Sequence, residues 1–173
     1  IDDELVLILS DTSLDFDYIY SHNLCFNRSM TSDHMKFCRK ENLFESLDEM
    51  IKYFRLGLEI LEPITFNRKV WIDPCFGFSK TREQNQFLLK NIQYFLEGIP
   101  TNISVVYGIS RKSFLRVPKD LDPKLSSNIE MLDQMQTVFI YELIKNSIDR
   151  VFLFRVHEEL SLKSAINIIS VVE

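Results

Sequence analysis

Short apolar runs alternate with amphipathic segments along the chain, and this order limits the fold more than any other feature. The runs at 5–9, 70–72, 103–107 and 151–154 are too short for helices and lack polar alternation, as is typical of strands buried on both faces. After each run, apolar residues recur every three or four positions, which indicates a helix. Strands alternating with helices predict an α/β fold, with four βα units around a parallel sheet in a single domain over 1–173.

Pairs of polar residues with capping-box spacing mark the starts of three predicted helices. The pairs are Asn42 with Glu45, Thr81 with Gln84, and Ser127 with Glu130. The second helix is predicted to continue without a break to Gly98, and a last helix is predicted over about 160–172.

Charge and composition exclude several classes of protein. The chain has 20 Lys and Arg against 25 Asp and Glu, a net charge of −5, which argues against a general nucleic-acid binder. Its hydrophobic content of 46% excludes a disordered segment, and no apolar run approaches the roughly 20 residues of a membrane span. Three cysteines do not make a disulfide framework. We therefore expect a cytoplasmic globular domain with no nucleic-acid or membrane partner.

Unusual residues follow the second predicted strand, in the segment WIDPCFGFSK at 71–80. Ligands in parallel α/β folds bind at the carboxyl ends of the strands. Asp73 would lie at such an end, where a buried carboxylate is costly unless it meets a partner or a ligand. Phe78 would place a ring in the same loop, where it could wall a flat ligand. The alternative is a turn-forming Asp-Pro pair and a ring that only covers the core.

The third predicted strand leads into YGISRKSFL at 107–115. Gly108 permits a close turn of the backbone, while Ser110 and Lys112 offer a hydroxyl and an ammonium group in one tight loop. Such a cluster suits an anion or a carbonyl-rich ring. A solvated basic turn is the alternative interpretation.

The fourth predicted strand leads into FRVHEE at 154–159. Side chains alternate along a strand, so Arg155 and His157 are predicted to share one face and aim at one point above the sheet. An arginine fork beside an imidazole suits a phosphate group. The alternative is surface pairing of either residue with Glu158 or Glu159.

Four potential metal ligands lie between the first predicted strand and the first predicted helix. They are His22, Cys25, His34 and Cys38, with spacings that zinc sites also use. No glycine occurs in this stretch, although zinc knuckles usually need tight turns, which favours the alternative of a polar βα loop.

Three motifs in this order resemble those of the dihydropteroate synthase family. DPCFGFSK, GISRKS and RVHE are similar to the family's DPGxGFxK, GxSRKS and RVHD, at similar separations, and TREQNQFLLKNI at 81–92 resembles the family's next helix. The family's fold is a TIM (β/α)8 barrel of about 250 residues. The resemblance implies that this chain is the C-terminal half of such a barrel, that Ile1 marks where the barrel is cut, and that the family's Mg²⁺ ligand lies in the absent N-terminal half.

The resemblance also implies a pterin site at the strand ends. Asp73 would accept hydrogen bonds from the aminopyrimidine side of the pterin, and Lys112 would contact its carbonyl and ring nitrogen. Arg155 would stack over the pterin, and Gly108 would belong to the same binding set. The implied activity is that of a transferase of folate biosynthesis, which joins 6-hydroxymethyl-dihydropterin pyrophosphate to p-aminobenzoate and releases dihydropteroate and pyrophosphate.

Other residues would serve the remaining parts of the substrates. Arg155 and His157 would form part of the pyrophosphate site, while Ser110 and Phe78 would lie towards the p-aminobenzoate pocket. Lys112, Arg155 and His157 would then be the catalytic set, since their charges offset the negative charge that grows on the leaving pyrophosphate.

The motifs also depart from the family's pattern. Cys75 and Ser79 replace glycines, Glu158 replaces an aspartate, and Ser10 with Asp11 stands where a Met-His-Met segment is expected. Three functions therefore stay open: a transferase completed by the missing half, a non-catalytic pterin-binding module, and an interaction protein that uses the scaffold to dimerise. A half barrel leaves the outer edges of its two end strands unpaired. We therefore expect a homodimer or a complementary N-terminal half barrel as partner.

Overall fold

The protein forms a four-stranded sheet with helices between the strands. The computed structural model describes residues 1, 3–23, 46–65, 68–116, 120–124, 128–147 and 149–172. In chain order the elements are α1 (Asp3–Ser10), β1 (Tyr18–Ser21), α2 (Leu47–Leu61), β2 (Val70–Asp73), α3 (Arg82–Lys90), α4 (Ile92–Glu97), β3 (Ser104–Tyr107), a 3₁₀ turn (Ser113–Leu115), α5 (Ile129–Lys145), β4 (Phe152–Phe154) and α6 (Leu160–Val172). All neighbouring strands pair in parallel in the order β1-β2-β3-β4, which confirms the predicted α/β fold.

The prediction for the first strand was wrong. The run 5–9 belongs to α1, in which Leu9 is fully buried while Leu7 is 73% exposed, so that only one side of the run packs. Asp3 and Glu4 lie in the first turn, where acidic side chains favour a helix. A short apolar run cannot be assigned to helix or strand by periodicity alone.

This correction changes which residues end the first strand. β1 ends at Ser21, and the next residue is His22, whose backbone N–H donates to the Asp73 carbonyl at 2.9 Å. Ser10 and Asp11 therefore do not stand at a strand end, and a histidine does follow the first strand.

Two predicted helix starts also differ from the structure. α2 begins after Ser46, whose hydroxyl accepts from the Glu49 N–H in a capping box, while Asn42 and Glu45 lie outside the described residues. α5 begins after Asn128, which accepts from the Met131 N–H at 3.2 Å, whereas Ser127 lies outside the described residues.

The capping pair predicted for the second helix is confirmed, but its length is not. The Thr81 hydroxyl accepts from the Gln84 N–H at 3.2 Å, and the Gln84 side chain accepts from the Thr81 N–H at 2.9 Å. Asn91 then divides the predicted single helix into α3 and α4. Its amide group donates to the Phe87 carbonyl at 2.8 Å, a bond with the backbone that competes with helix continuation.

The hydrophobic core lies between one face of the sheet and the helices. Tyr20 on β1 meets Phe54 on α2 edge to face at 5.6 Å, and Ile72 and Val105 are fully buried in the same cluster. The alternate strand residues lie outside this cluster, and Leu153 on that side is 45% exposed. Among the described residues, the core cluster and the helices lie on one face of the sheet, while on the other face Val106 is buried at 1% exposure and Ile19 and Leu153 are exposed. No helix in the described part of the chain is long and apolar enough to cross a membrane.

Candidate ligand site at the carboxyl edge of the sheet

Asp73 forms the centre of a polar cluster at the carboxyl end of β2. Its side chain is almost fully buried, and its Oδ2 accepts a hydrogen bond from Arg155 Nη2 at 2.6 Å. Its Oδ1 accepts from the Cys75 N–H at 2.7 Å, so Asp73 also shapes the turn that follows it. Burial raises the pKa of this carboxyl group, and the Cys75 N–H and the Arg155 charge oppose that rise. A buried carboxylate of this kind is typical of a binding site.

The loop after β2 has an unusual backbone. Cys75, Gly77 and Ser79 have φ values of +55°, +79° and +50°, in the left-handed region that favours glycine. Cys75 and Ser79 are the two positions at which the resemblance led us to expect glycine. The loop therefore keeps the glycine-type conformation although two of its three left-handed residues carry side chains.

Asn85, which the sequence analysis did not single out, holds this loop to α3. Its side-chain oxygen accepts from the Gly77 N–H at 2.7 Å, and its amide group donates to the Thr81 carbonyl at 2.7 Å and the Lys80 carbonyl at 3.3 Å. Asn85 is 1% exposed. An asparagine inside a helix is a poor helix former, and that mismatch is the signal in the sequence that could have identified it.

Lys80 is a second organising residue that the sequence analysis missed. Its buried ammonium group donates to the carbonyls of His22 at 3.0 Å and Cys75 at 3.3 Å, which ties the β2 loop to the end of β1. Beside it, burial and the Lys80 charge lower the pKa of the His22 imidazole to about 3. His22 also meets the Tyr53 ring edge to face at 4.9 Å, so it is a neutral part of the packed interior.

Lys112 and Phe78 are brought together from different loops. The Lys112 ammonium lies 3.6 Å from the centre of the Phe78 ring, a cation–π contact. Burial lowers the pKa of Lys112, and the nearby Arg155 charge lowers it further. Phe76, in contrast, is fully buried and stacks on Phe114 at 6.0 Å, so it has the core-covering role and Phe78 does not.

The Arg155 side chain passes close to Gly108, the residue that follows β3. A Cβ atom at Gly108 would lie 2.5 Å from Arg155 Nη2, well inside contact distance. The small residue at the end of β3 therefore lets Arg155 reach Asp73. The Arg155 side chain stays 53% exposed, which leaves part of the guanidinium open to solvent.

Ser110 and His157 form a separate pair. Ser110 Oγ accepts from the His157 backbone N–H at 3.0 Å and lies 2.9 Å from His157 Nδ1. β4 ends at Phe154, so Arg155 and His157 lie beyond the strand and contact different partners, not the single point that strand alternation predicts.

The remaining charged residues of these motifs have structural partners. Arg111 pairs with Asp133 on α5 at 3.1 Å. The two oxygens of Glu158 accept from the Leu160 and Ser161 N–H groups at 2.8 and 3.0 Å, so Glu158 caps α6 and is not the pairing partner of Arg155 or His157 that the alternative interpretation suggested.

The structure describes only one of the four residues of the predicted zinc site. His22 is described, whereas Cys25, His34 and Cys38 lie outside the described residues. Within the described part of the chain, no group of three His, Cys, Asp or Glu side chains is arranged to hold a metal ion. The zinc site and the expected Mg²⁺ both stay predictions.

Comparisons with known proteins agree with the motifs. The family model described as pterin binding enzyme matches residues 20–157. The bifunctional dihydropteroate synthase/dihydropteroate reductase of Helicobacter pylori is 30% identical over 128 residues, which are 69% of this chain and 33% of that protein. The chain thus spans about a third of the length of this relative.

Solved structures show the same fold. The wild-type HPPK-DHPS of Plasmodium falciparum with pteroate matches with a TM-score of 0.68 at 21% identity, over 99% of this chain and 28% of the other. An HPPK-DHPS of the same organism with pterin and p-hydroxybenzoate matches with a TM-score of 0.65 at 22% identity, over 99% and 28%. These neighbours are TIM-barrel proteins, so the four βα units correspond to part of a larger barrel. On its motifs, its fold and the match over 20–157, the chain belongs to the pterin-binding enzyme family.

Proposed function

We propose that the chain forms the pterin-binding and pyrophosphate-binding part of a dihydropteroate synthase-type transferase, which is active when further βα units complete the barrel. One observation carries this proposal. One cluster at the carboxyl edge of the sheet brings together residues from three strand ends, namely Asp73, Phe78, Lys112 and Arg155. It extends from the buried Asp73 to the partly exposed Arg155. A carboxylate, cations and an aromatic ring in one place suit a flat, electron-poor heterocycle with an anionic leaving group.

Each side chain would have a distinct part in binding. Asp73 is buried and keeps acceptor capacity on both oxygens beyond its bonds to Cys75 and Arg155, so it would accept from the aminopyrimidine edge. Lys112, over the Phe78 ring, would donate to the pterin carbonyl and ring nitrogen. The half-exposed guanidinium of Arg155 would stack on the ring.

The proposed reaction needs charge stabilisation more than a base. The bond between the pterin methylene carbon and a pyrophosphate oxygen breaks, and the oxygen keeps the electron pair. The amine nitrogen of p-aminobenzoate forms the new bond to that carbon and then loses a proton to solvent. Arg155, His157 and Lys112 would stabilise the departing pyrophosphate, with Ser110 and Phe78 towards the p-aminobenzoate side. The Mg²⁺ site would lie in the other half of the barrel, so no step is assigned to it.

A non-catalytic pterin-binding module is the second candidate, and one observation favours it. Cys75 and Ser79 add side chains to a loop that has retained the left-handed backbone of a glycine loop. Both side chains are buried, and the Cys75 N–H donates to Asp73 Oδ1, so Cys75 lies beside the carboxylate. Such a site would bind the pterin while holding it too loosely for transfer.

We also propose that further barrel units, from a second copy or a complementary half barrel, cover the open face of the sheet. Ile19 on β1 is 42% exposed and Leu153 on β4 is 45% exposed, and both are on the face away from the helices. Trp71 on that face is half-buried, and the Lys69 ammonium lies 4.0 Å from the centre of its ring. Light scattering should therefore give a mass above the 20.5 kDa of one chain, either for the chain alone or after the complementary half barrel is added. A stable monomer under both conditions would contradict the proposal.

Calorimetric titration with 6-hydroxymethyl-dihydropterin pyrophosphate tests the function. Lys112→Ala should weaken binding by about 1.5–3 kcal/mol, because a charged hydrogen bond is lost. Lys52→Ala, which removes an exposed lysine from α2, is the matched control and should leave the affinity unchanged. Binding without turnover after the other half barrel is added favours the module. If the pterin substrate binds neither to the chain alone nor to the chain with the other half barrel, the transferase and the pterin-binding module are both excluded. The interaction protein would then remain.

A further inference from the structure

Ser110 and His157 make two contacts with each other at the ends of β3 and β4. Ser110 Oγ lies 3.0 Å from the backbone nitrogen of His157 and 2.9 Å from Nδ1 of its ring. Ser110 is only 4% exposed, whereas His157 belongs to the exposed residues. One buried hydroxyl group therefore contacts both the backbone and the ring of an exposed histidine.

The hydrogen atoms of this pair can be assigned from its chemistry. A backbone N–H can only donate, so the first bond uses a lone pair of Ser110 Oγ. The hydroxyl hydrogen then needs an acceptor, and among the described residues Ser110 has no hydrogen-bond partner besides His157. If Nδ1 carried a hydrogen and donated it, the buried hydroxyl hydrogen would have no acceptor, which is the more costly arrangement.

We propose that Ser110 is a positioning residue that holds neutral His157 in the tautomer with its proton on Nε2. In this tautomer Nδ1 accepts from the serine hydroxyl, and Nε2–H is the donor of the exposed ring. A neutral ring that carries its proton on Nε2 can donate to an anionic oxygen without first taking up a second proton. Burial of Ser110 Oγ argues against the other role that a serine beside a histidine can have, that of a nucleophile.

The ligand class follows from the charges around the pair. Arg155 and Lys112 each lie two residues along the chain from a member of the pair, and they add cationic donors at the same edge of the sheet. Pyrophosphate is the anion that the proposed function supplies, and in this respect alone the inference rests on that function. The assignment of the tautomer rests only on the contacts of Ser110.

Nitrogen-15 NMR of the full chain tests the tautomer directly. At alkaline pH, where an imidazole is neutral, the two ring nitrogens of His157 have distinct chemical shifts that report which one carries the proton. The Nε2–H form should exceed the other by at least about tenfold, and Ser110→Ala should reduce that ratio severalfold, while Ser110→Thr keeps the hydroxyl and the ratio. A proton on Nδ1 in the unmodified chain, or an unchanged ratio in Ser110→Ala, would overturn the proposal.

Titration with inorganic pyrophosphate separates this inference from the proposed function. Ser110→Ala should weaken pyrophosphate binding by roughly three- to tenfold, and Ser110→Thr should bind as the unmodified chain does. If the unmodified chain has the predicted tautomer and does not bind pyrophosphate even after the other half barrel is added, the function fails and the tautomer assignment stands. Equal binding by Ser110→Ala would refute the positioning role. The backbone amide spectrum checks the fold of each variant, and if Ser110→Ala does not fold, the ring nitrogens of the unmodified chain decide.

Discussion

The loop after β2 and the segment after β4 meet at the same edge of the sheet, but they are held in different ways. The β2 loop is fixed from within by the buried side chains of Asp73, Lys80 and Asn85. The segment after β4 is exposed at Arg155 and His157, and its side chains reach other loops for their partners. The surface that would recognise the pterin is thus built rigidly, whereas the groups that would face the anion lie open to solvent.

At neutral pH, the largest effect on this comparison should come from Asn85→Ala. The substitution removes the acceptor of the Gly77 N–H and a donor to the Thr81 carbonyl, so we expect the free energy of unfolding to fall by about 2–4 kcal/mol. Asn91→Ala is the matched control, since Asn91 makes one exposed bond to the carbonyl of Phe87. Denaturant unfolding measures both variants. Equal losses would show that the β2 loop is not held by Asn85.

Acidification should weaken the β2 side of the site through His22. Its pKa is about 3 in the folded chain and 6.5 ordinarily, so the unfolded chain binds more protons between these values. Stability should therefore fall as the pH decreases from 6.5 towards 3, by up to about 1.4 kcal/mol per pH unit from this residue. His22→Gln removes this part of the slope. An unchanged slope in urea unfolding across that window would contradict the buried, neutral histidine.

A smaller effect is expected from the left-handed backbone at Ser79. Ser79→Gly should be more stable than Ser79→Ala by about 1 kcal/mol, because both lack the hydroxyl but only alanine places a Cβ at a positive φ. The same pair of substitutions at Ser164 within α6 is the control, where alanine should be the more stable. Thermal unfolding with a known enthalpy gives the stability difference between the glycine and alanine variants at each site. If alanine is the more stable at both sites, the left-handed backbone at Ser79 is refuted.

The smallest effect should come from the β4 side, with Glu158→Gln. Contacts with Ser161 lower the pKa of Glu158, so its stabilisation is present above the ordinary pKa of 4.5 and is lost as the pH falls through the folded value. Glutamine keeps one acceptor for the first turn of α6 and loses the charge. At pH 7 the free energy of unfolding should fall by less in Glu158→Gln than in the variants of the β2 loop. A larger loss would mean that the β4 segment is as tightly built as the β2 loop.

The comparison also shows which parts of the site the sequence could predict. Asp73, Lys112, Arg155 and Gly108 were predicted because strand ends in a parallel sheet meet at one edge, and the structure does bring them together. Asn85 was missed because its partners are backbone groups four to eight residues away, so its only sign in the sequence was an asparagine inside a predicted helix.

The error in the first strand has a similar cause. Two segments, 5–9 and 18–21, contain enough apolar residues to form a helix or a strand. Which of the two forms depends on what each segment packs against. Tyr20 packs against Phe54 of α2, while the run that was predicted as a strand leaves Leu7 exposed.

The sequence by itself determined the α/β class, the order of the last three βα units, the family and the polar strand ends, because periodicity and contiguous motifs are local properties of a chain. Only the tertiary structure decided that Arg155 pairs with Asp73 and that His157 pairs with Ser110. It also decided that Lys80 ties the β2 loop to β1. These contacts join residues up to 82 positions apart, and their geometry depends on how the packed sheet sets its strand ends side by side.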